Sequence, residues 1–344
     1  MSDTQVTRPS LFYIECLRFI AVIAVVGIHV LGPYRELIPS LAWHQWLPAV
    51  SLNAMSRWAV PIFMMISGAL LLSDRRPFNC GYYLSRRLAK VLVPFIAWTV
   101  IYAVVAGFHD GRWSWTITES LLAHANNQHT WYHLWFFYDF IPLYFVIPLL
   151  APLLHKMDHQ RVLLLLAAWL LLTLMHWLKV ETPLRQNIIL YSGYLVVGWY
   201  LFNHEQKPYL KFWLMTGLAT LGFNVLGSVY YIWQQGEYSS VFMGYKSLNT
   251  VVIAMSLFVL VKAYAEKVPN GWRPMIKTVS KYSFGIYLVH PLFLIPVRHL
   301  DYGIYQWFGH SSIALPVLMA IVLLLALGLS WLFTRSVFTR WLVP

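Results

Sequence analysis

The sequence is poor in charge. Of its 344 residues only 11% are Asp, Glu, Lys or Arg, where a soluble domain carries roughly a quarter. That deficit argues against a water-facing surface of ordinary make-up, and against the two soluble domains that the length alone would suggest. Acids are scarcest, 13 against 25 Lys and Arg, for a net charge of +12. Cysteine is nearly absent. Cys16 falls in an apolar run and Cys80 in a loop expected on the cytosolic side, so neither a disulfide nor a cysteine metal site is expected. No histidines pair with carboxylates at ligand spacing, and no metal is expected. Internal repeats, low-complexity tracts and a soluble domain are also missing, which leaves one domain over residues 1–344. The first apolar run has no small-residue cleavage site and contains Glu15, Arg18 and His29. It is expected to stay as a helix rather than act as a signal peptide.

What is abundant is apolar and aromatic: 59% hydrophobic residues and 17 Trp, rings that favour the lipid–water interface. A helix needs about 20 apolar residues to cross the hydrocarbon core. Ten runs suit: Leu11–Gly32, Val50–Leu72, Leu84–Phe108, Trp131–Leu154, Val162–Leu178, Ile188–Phe202, Leu210–Trp233, Leu248–Tyr264, Val279–Val297 and Ser312–Phe333. The expected fold class is an all-α membrane bundle of about ten transmembrane helices. With the N-terminus in the cytosol, seventeen Lys and Arg fall in inner segments and six in outer ones, while Arg18 and Arg57 lie within spans. Inner loops normally hold such an excess, so both termini are expected to be cytosolic. This placement assigns the net charge to topology and an anionic cytosolic ligand, not to nucleic acid. The stretch 109–130, with Trp113, Trp115, His124 and His129, is expected on the membrane surface. The basic stretch 262–281, with Pro269, Gly271 and Pro274, reads as a loop.

Arg18 and His29 are eleven residues apart, roughly 16 Å along a helix and just over three turns, so both project from nearly one face. Glu15, three residues before Arg18, joins that face. Ionisable groups are costly in hydrocarbon, face an interior or a wet cavity, and mark functional sites. The plainer alternative is a Glu15–Arg18 pair that fixes packing, with His29 reaching the outer interface. Ser67 has no evident partner base and is not read as a nucleophile.

The run Glu15-Cys16-Leu17-Arg18, ten residues and then His29, forms an Arg-x10-His pattern. Four more runs follow in order. They are Ser56-Arg57-Trp58-Ala59-Val60-Pro61-Ile62-Phe63 leading to Ile66-Ser67-Gly68, then Tyr83-Leu84-Ser85-Arg86-Arg87-Leu88 before Pro94. The others are His133-Leu134-Trp135-Phe136 with Pro148, and Ser283-Phe284-Gly285-Ile286-Tyr287-Leu288-Val289-His290-Pro291. Together, over almost the whole chain, they resemble the acyltransferase 3 family of membrane acyltransferases.

The resemblance implies a multi-pass protein of the bacterial cytoplasmic membrane. It would move an acyl group, usually acetyl, from cytosolic acyl-CoA (acetyl-CoA) to a hydroxyl of a surface glycan or its lipid-linked precursor, with no permanently bound cofactor. Beside it, His29 suits a general base or an acyl carrier. Arg18 suits the donor and Glu15 its orientation. Arg86, Arg87 and Lys90 suit the CoA phosphates, or simply anchor the inner interface. Arg57, His133, Trp135, Tyr287 and His290 are the residues expected to line a cavity or meet the acceptor, and Arg57, Tyr287 and Trp135 could donate to an oxyanion. The competing function is a proton-coupled transporter or flippase, which buried charges would also serve.

Overall fold

In lipid every backbone polar group has to be satisfied within the chain, and helices do this locally. A computed structural model describes residues 11–109, 111–299, 305 and 307–344; Arg8, one of the seventeen cations expected in inner segments, lies outside them. The chain begins with α1 (Phe12–Val30), the short α2 (Gly32–Leu37), α3 (Trp43–Ser56), α4 (Ala59–Leu71) and α5 (Cys80–Tyr83). Next come α6 (Ala89–Gly107), α7 (Trp115–Ala123), α8 (Trp135–Lys156), α9 (His159–Trp177) and α10 (Asn187–Asn203). It closes with α11 (Leu210–Gln235), α12 (Leu248–Tyr264), α13 (Arg273–His299) and α14 (Ser311–Arg335).

Each of the ten apolar runs contains helix. By length and composition, eight helical stretches among the described residues are able to cross a membrane. The other two runs are α10, of 17 residues, and α13, whose first turns carry Arg273, Lys277 and Lys281. α1 is central, with α3, α4, α12, α13 and α14 packed around it, and Leu17, Ala21, Val22 and Val30 are fully enclosed. The stripe holding Arg18 and His29 therefore lies on the most surrounded helix, while α11 turns most of its surface outward.

Three boundaries differ from expectation. The second run extends back to Trp43 and is broken at Arg57–Trp58 between α3 and α4. Pro61 explains the break: it lacks an N–H, and its ring clashes with the carbonyl of residue 57. Arg57 thus sits at an interruption inside a 29-residue span, not near its outer end. The stretch 262–281 is not all loop, because α13 begins at Arg273. Pro274 falls in the first turn, where proline is tolerated. The stretch 109–130 contributes to a hairpin of β1 (Phe108–His109) and β2 (Arg112–Trp113), followed by α7. Buried Thr118 of α7 donates to the Ala103 carbonyl of α6 at 3.2 Å, and Trp113 and Trp115 remain exposed.

Helix association in lipid depends on close backbone approach rather than on the hydrophobic effect. α4 and α10 show this at two glycines. A Cβ on Gly68 would lie 2.0 Å from the Leu195 carbonyl oxygen, and one on Gly198 would lie 2.0 Å from that of Met65. Neither neighbour is a side chain that could rotate away. Gly68→Val is expected to destabilise the bundle by about 3 kcal/mol or more, as overpacking against backbone does. Gly222→Ala, where a Cβ meets nothing within 4 Å, serves as control. Thermal unfolding in detergent checks the pair; equal midpoints would refute this account of the crossing.

Candidate active site

On α1, Arg18, Val25 and His29 follow at steps of seven and four. On α13, Ser280, Ser283, Tyr287 and His290 follow at three, four and three. Both spacings keep side chains on one helical face, and the two helices pack together. The stripes face each other and bring two histidines into contact across 261 residues of sequence. His29 Nδ1 lies 2.6 Å from His290 Nε2. Their rings are parallel within 5°, with centroids 4.9 Å apart.

The proton positions follow from the next contact. His290 Nδ1 lies 3.0 Å from the Ile286 carbonyl oxygen. A carbonyl only accepts, so this nitrogen carries hydrogen, and in a neutral ring Nε2 is then bare. His290 Nε2 accepts from His29 Nδ1–H, which leaves the basic lone pair of His29 on Nε2. Two imidazoles and one backbone carbonyl thereby fix which nitrogen of His29 can take a proton.

Aromatic residues close around the pair. Tyr132 meets the His29 ring edge-on at 5.0 Å. His133, fully buried, has its ring 5.7 Å from His290 and 4.9 Å from Tyr102. Tyr287 donates its hydroxyl to the His133 carbonyl, so its only hydroxyl proton is committed to holding the turn before α8. Among the described residues no His, Cys, Asp and Glu side chains group as a metal's ligands would.

A cavity of about 410 Å³ runs along the same seam. Arg18, Val25, Ser67, Lys90, Phe136, Ser280, Lys281, Ser283 and Tyr287 are among its walls. It ends at Val25 and Tyr287, one helical turn short of His29 and His290. No ion pair or hydrogen bond to the Arg18 side chain is found among the described residues. The packing alternative of a direct Glu15–Arg18 bridge is therefore not what forms. Ser67 lines the cavity with its hydroxyl donated to the Phe63 carbonyl.

The basic cluster at the start of α6 divides. Lys90 lines the large cavity. Arg87 lines a separate cleft of about 240 Å³ with Arg75, Arg76, Tyr82 and His155, and lies 3.5 Å from Asp74. Arg86 is exposed and borders neither. A π-helical turn spans Leu84–Leu88, and adjacent residues such as Arg86 and Arg87 point to different faces of a helix. The Arg76 guanidinium, hydrogen-bonded to Asp74, holds that carboxyl at about 2.

Arg57 is 9% exposed. It donates to Tyr238 Oη at 3.0 Å, and its charge lies 5.2 Å from the centre of the Tyr245 ring. Asn53 donates to the same Tyr238 hydroxyl at 2.9 Å. Tyr238 and Tyr245 both belong to the α11–α12 loop, and Trp135 stacks on Tyr245 at 5.2 Å. Six of the expected residues thus fall into two groups. His29, His290, His133 and Tyr287 share one box, and Arg57 and Trp135 meet through Tyr245 instead. Sequence reasoning missed Tyr132, Tyr102 and the serines of α13. The serines alone had a signal, in their spacing with Tyr287 and His290.

The model of a family described as an acyltransferase domain matches residues 11–335. No curated protein and no solved structure matches the chain.

Proposed function

The chain belongs to the acyltransferase 3 family of membrane acyltransferases, and from that premise we propose that it transfers an acyl group from cytosolic acyl-CoA to a hydroxyl of a cell-surface glycan or its lipid-linked precursor in a bacterial cytoplasmic membrane. The His133-Leu134-Trp135-Phe136 run is similar to the O-acetyltransferase of enterobacterial common antigen, and this favours acetyl as the group moved. One observation carries the reading: the 2.6 Å contact between His29 Nδ1 and His290 Nε2, which turns the basic nitrogen of His29 away from its partner.

In this reading His29 Nε2 takes the hydroxyl proton as the sugar oxygen attacks the thioester carbonyl. The tetrahedral intermediate collapses, the C–S bond breaks, and the CoA thiolate receives the proton from His29. His290 holds the imidazolium through Nδ1–H throughout. Tyr287 is a poor oxyanion donor, because its proton is engaged by His133. An acylated His29 recovered by mass spectrometry after mixing with acyl-CoA alone would replace this direct transfer with a covalent carrier.

The cavity supports a donor route from the Lys90 and Lys281 end. Its guanidinium, Arg18, is suited to the phosphates or amides of the CoA arm. Val25, Phe136 and Tyr287 are among the cavity's walls, and in this reading the acyl end has to pass them to reach His29. Arg18→Ala is expected to raise the acyl-CoA KM about ten- to hundredfold, as loss of a charge-assisted hydrogen bond does, with the acceptor KM unchanged. An unaltered donor KM would remove Arg18 from this role. Purified protein with acetyl-CoA and candidate glycans tests the whole reading. Acceptor-dependent CoA release supports it, whereas solute flux without CoA chemistry would favour the transporter.

A further inference from the structure

Three segments distant in sequence build a polar and aromatic patch beside the histidine box. Trp135 and Asp139 are one turn apart on α8, two and six residues beyond His133. Asn187, at the start of α10, donates to Asp139 Oδ1 at 2.8 Å. Lys246, next to Tyr245 in the α11–α12 loop, donates to Asn187 Oδ1 at 2.6 Å. An amide thus separates a carboxylate from an ammonium group, and no direct ion pair joins the two among the described residues. Asp139 keeps a second oxygen able to accept, and Lys246 has two further N–H groups able to donate.

Such a chain is a poor way to stabilise a helix bundle, because both charges are partly desolvated and neither is neutralised by contact. It is well matched to neighbouring hydroxyls on a ring, each of which donates to an oxygen and accepts from an N–H. The Trp135–Tyr245 stack adds apolar ring surface at its side. Arg57 adds an independent indication. It is nine-tenths buried, its Nε has no hydrogen-bond partner, and no carboxylate pairs with it among the described residues. A guanidinium held this way, against Tyr238 and Tyr245, is stabilised by an arriving anion.

We propose that this patch is a binding subsite for an anionic sugar, with the ring against Trp135 and Tyr245, hydroxyls on the Asp139–Asn187–Lys246 chain and the negative group at Arg57. It rests on the acyltransferase reading, in which that sugar is the acceptor. The negative group is either a ring carboxylate or the diphosphate of a lipid-linked sugar; both present oxygens to a guanidinium in the same way.

Titration calorimetry on the full chain in lipid nanodiscs, without acetyl-CoA, separates the possibilities. The probes are a uronate oligosaccharide, the same oligosaccharide with its carboxyls reduced, and a neutral sugar on a short prenyl diphosphate. The expected result is that the reduced sugar binds about tenfold or more weakly than one of the anionic probes, and that probe identifies the source of charge. Asp139→Asn and Lys246→Gln, both at partly exposed positions, are expected to raise the Kd of the preferred probe about tenfold. Arg57→Gln should remove its preference over the reduced sugar. Equal Kd values for all three probes, or for wild type and the Asp139→Asn and Lys246→Gln variants, would overturn the subsite. A wild type that binds as expected, yet shows no His29-dependent CoA release with any probe, would keep the subsite and remove the acyltransferase reading.

Discussion

His29→Ala is expected to lower acceptor-dependent CoA release about a hundred- to ten-thousandfold, the range for loss of a general base, while the protein still inserts and remains monodisperse in detergent. The fold should survive because α1 is held along its length by other residues. Leu17, Ala21, Val22 and Val30 are enclosed by neighbouring helices, and the Tyr305 hydroxyl donates to the Val30 carbonyl. The substitution does leave His290 Nε2 without the donor it has in the native chain, at a cost of about 1–3 kcal/mol. His29→Gln removes that complication. Its amide can donate to His290 but cannot take up a proton, so it should be as inactive as alanine and more stable. Full activity in either variant, measured by thiol release at saturating acetyl-CoA, would refute the assignment of His29.

The helical runs were legible because lipid imposes one length and one composition on anything that crosses it. The limits of that legibility are physical too. The first turns of α13 read as loop because Arg273, Lys277 and Lys281 resemble an aqueous segment, yet a helix longer than the hydrocarbon core extends into water and carries charge there. The break at Arg57 was visible only as Pro61, whose effect falls four residues upstream. The Arg18–His29 stripe was readable from its period. The partner of His29 was not, since no local rule connects positions 261 residues apart. The tyrosines that meet Arg57 come from the loop after α11, where side-chain placement depends on tertiary packing rather than on periodicity.

His290→Ala is the sharper test, because His290 is assigned a positioning role and would not touch substrate. Its Nδ1–H is held by the Ile286 carbonyl, and its Nε2 receives His29 Nδ1–H. Without that acceptor, His29 is free to place its proton on Nε2, the nitrogen that has to act as base, and the imidazolium formed during transfer loses a hydrogen bond. Both effects act on the chemical step. The expected outcome is a kcat lower by about ten- to hundredfold, with KM for acyl-CoA and for the acceptor unchanged. His290→Gln, whose amide oxygen can accept from His29, should recover part of the loss. The decisive measurement is the double variant. If His290 works only through His29, then His29→Ala with His290→Ala should be no slower than His29→Ala alone, because residues acting as one unit are not additive. Losses that multiply, or a His290→Ala defect that falls on KM, would show that the two imidazoles act separately. The tautomer argument would then fail, even though they touch.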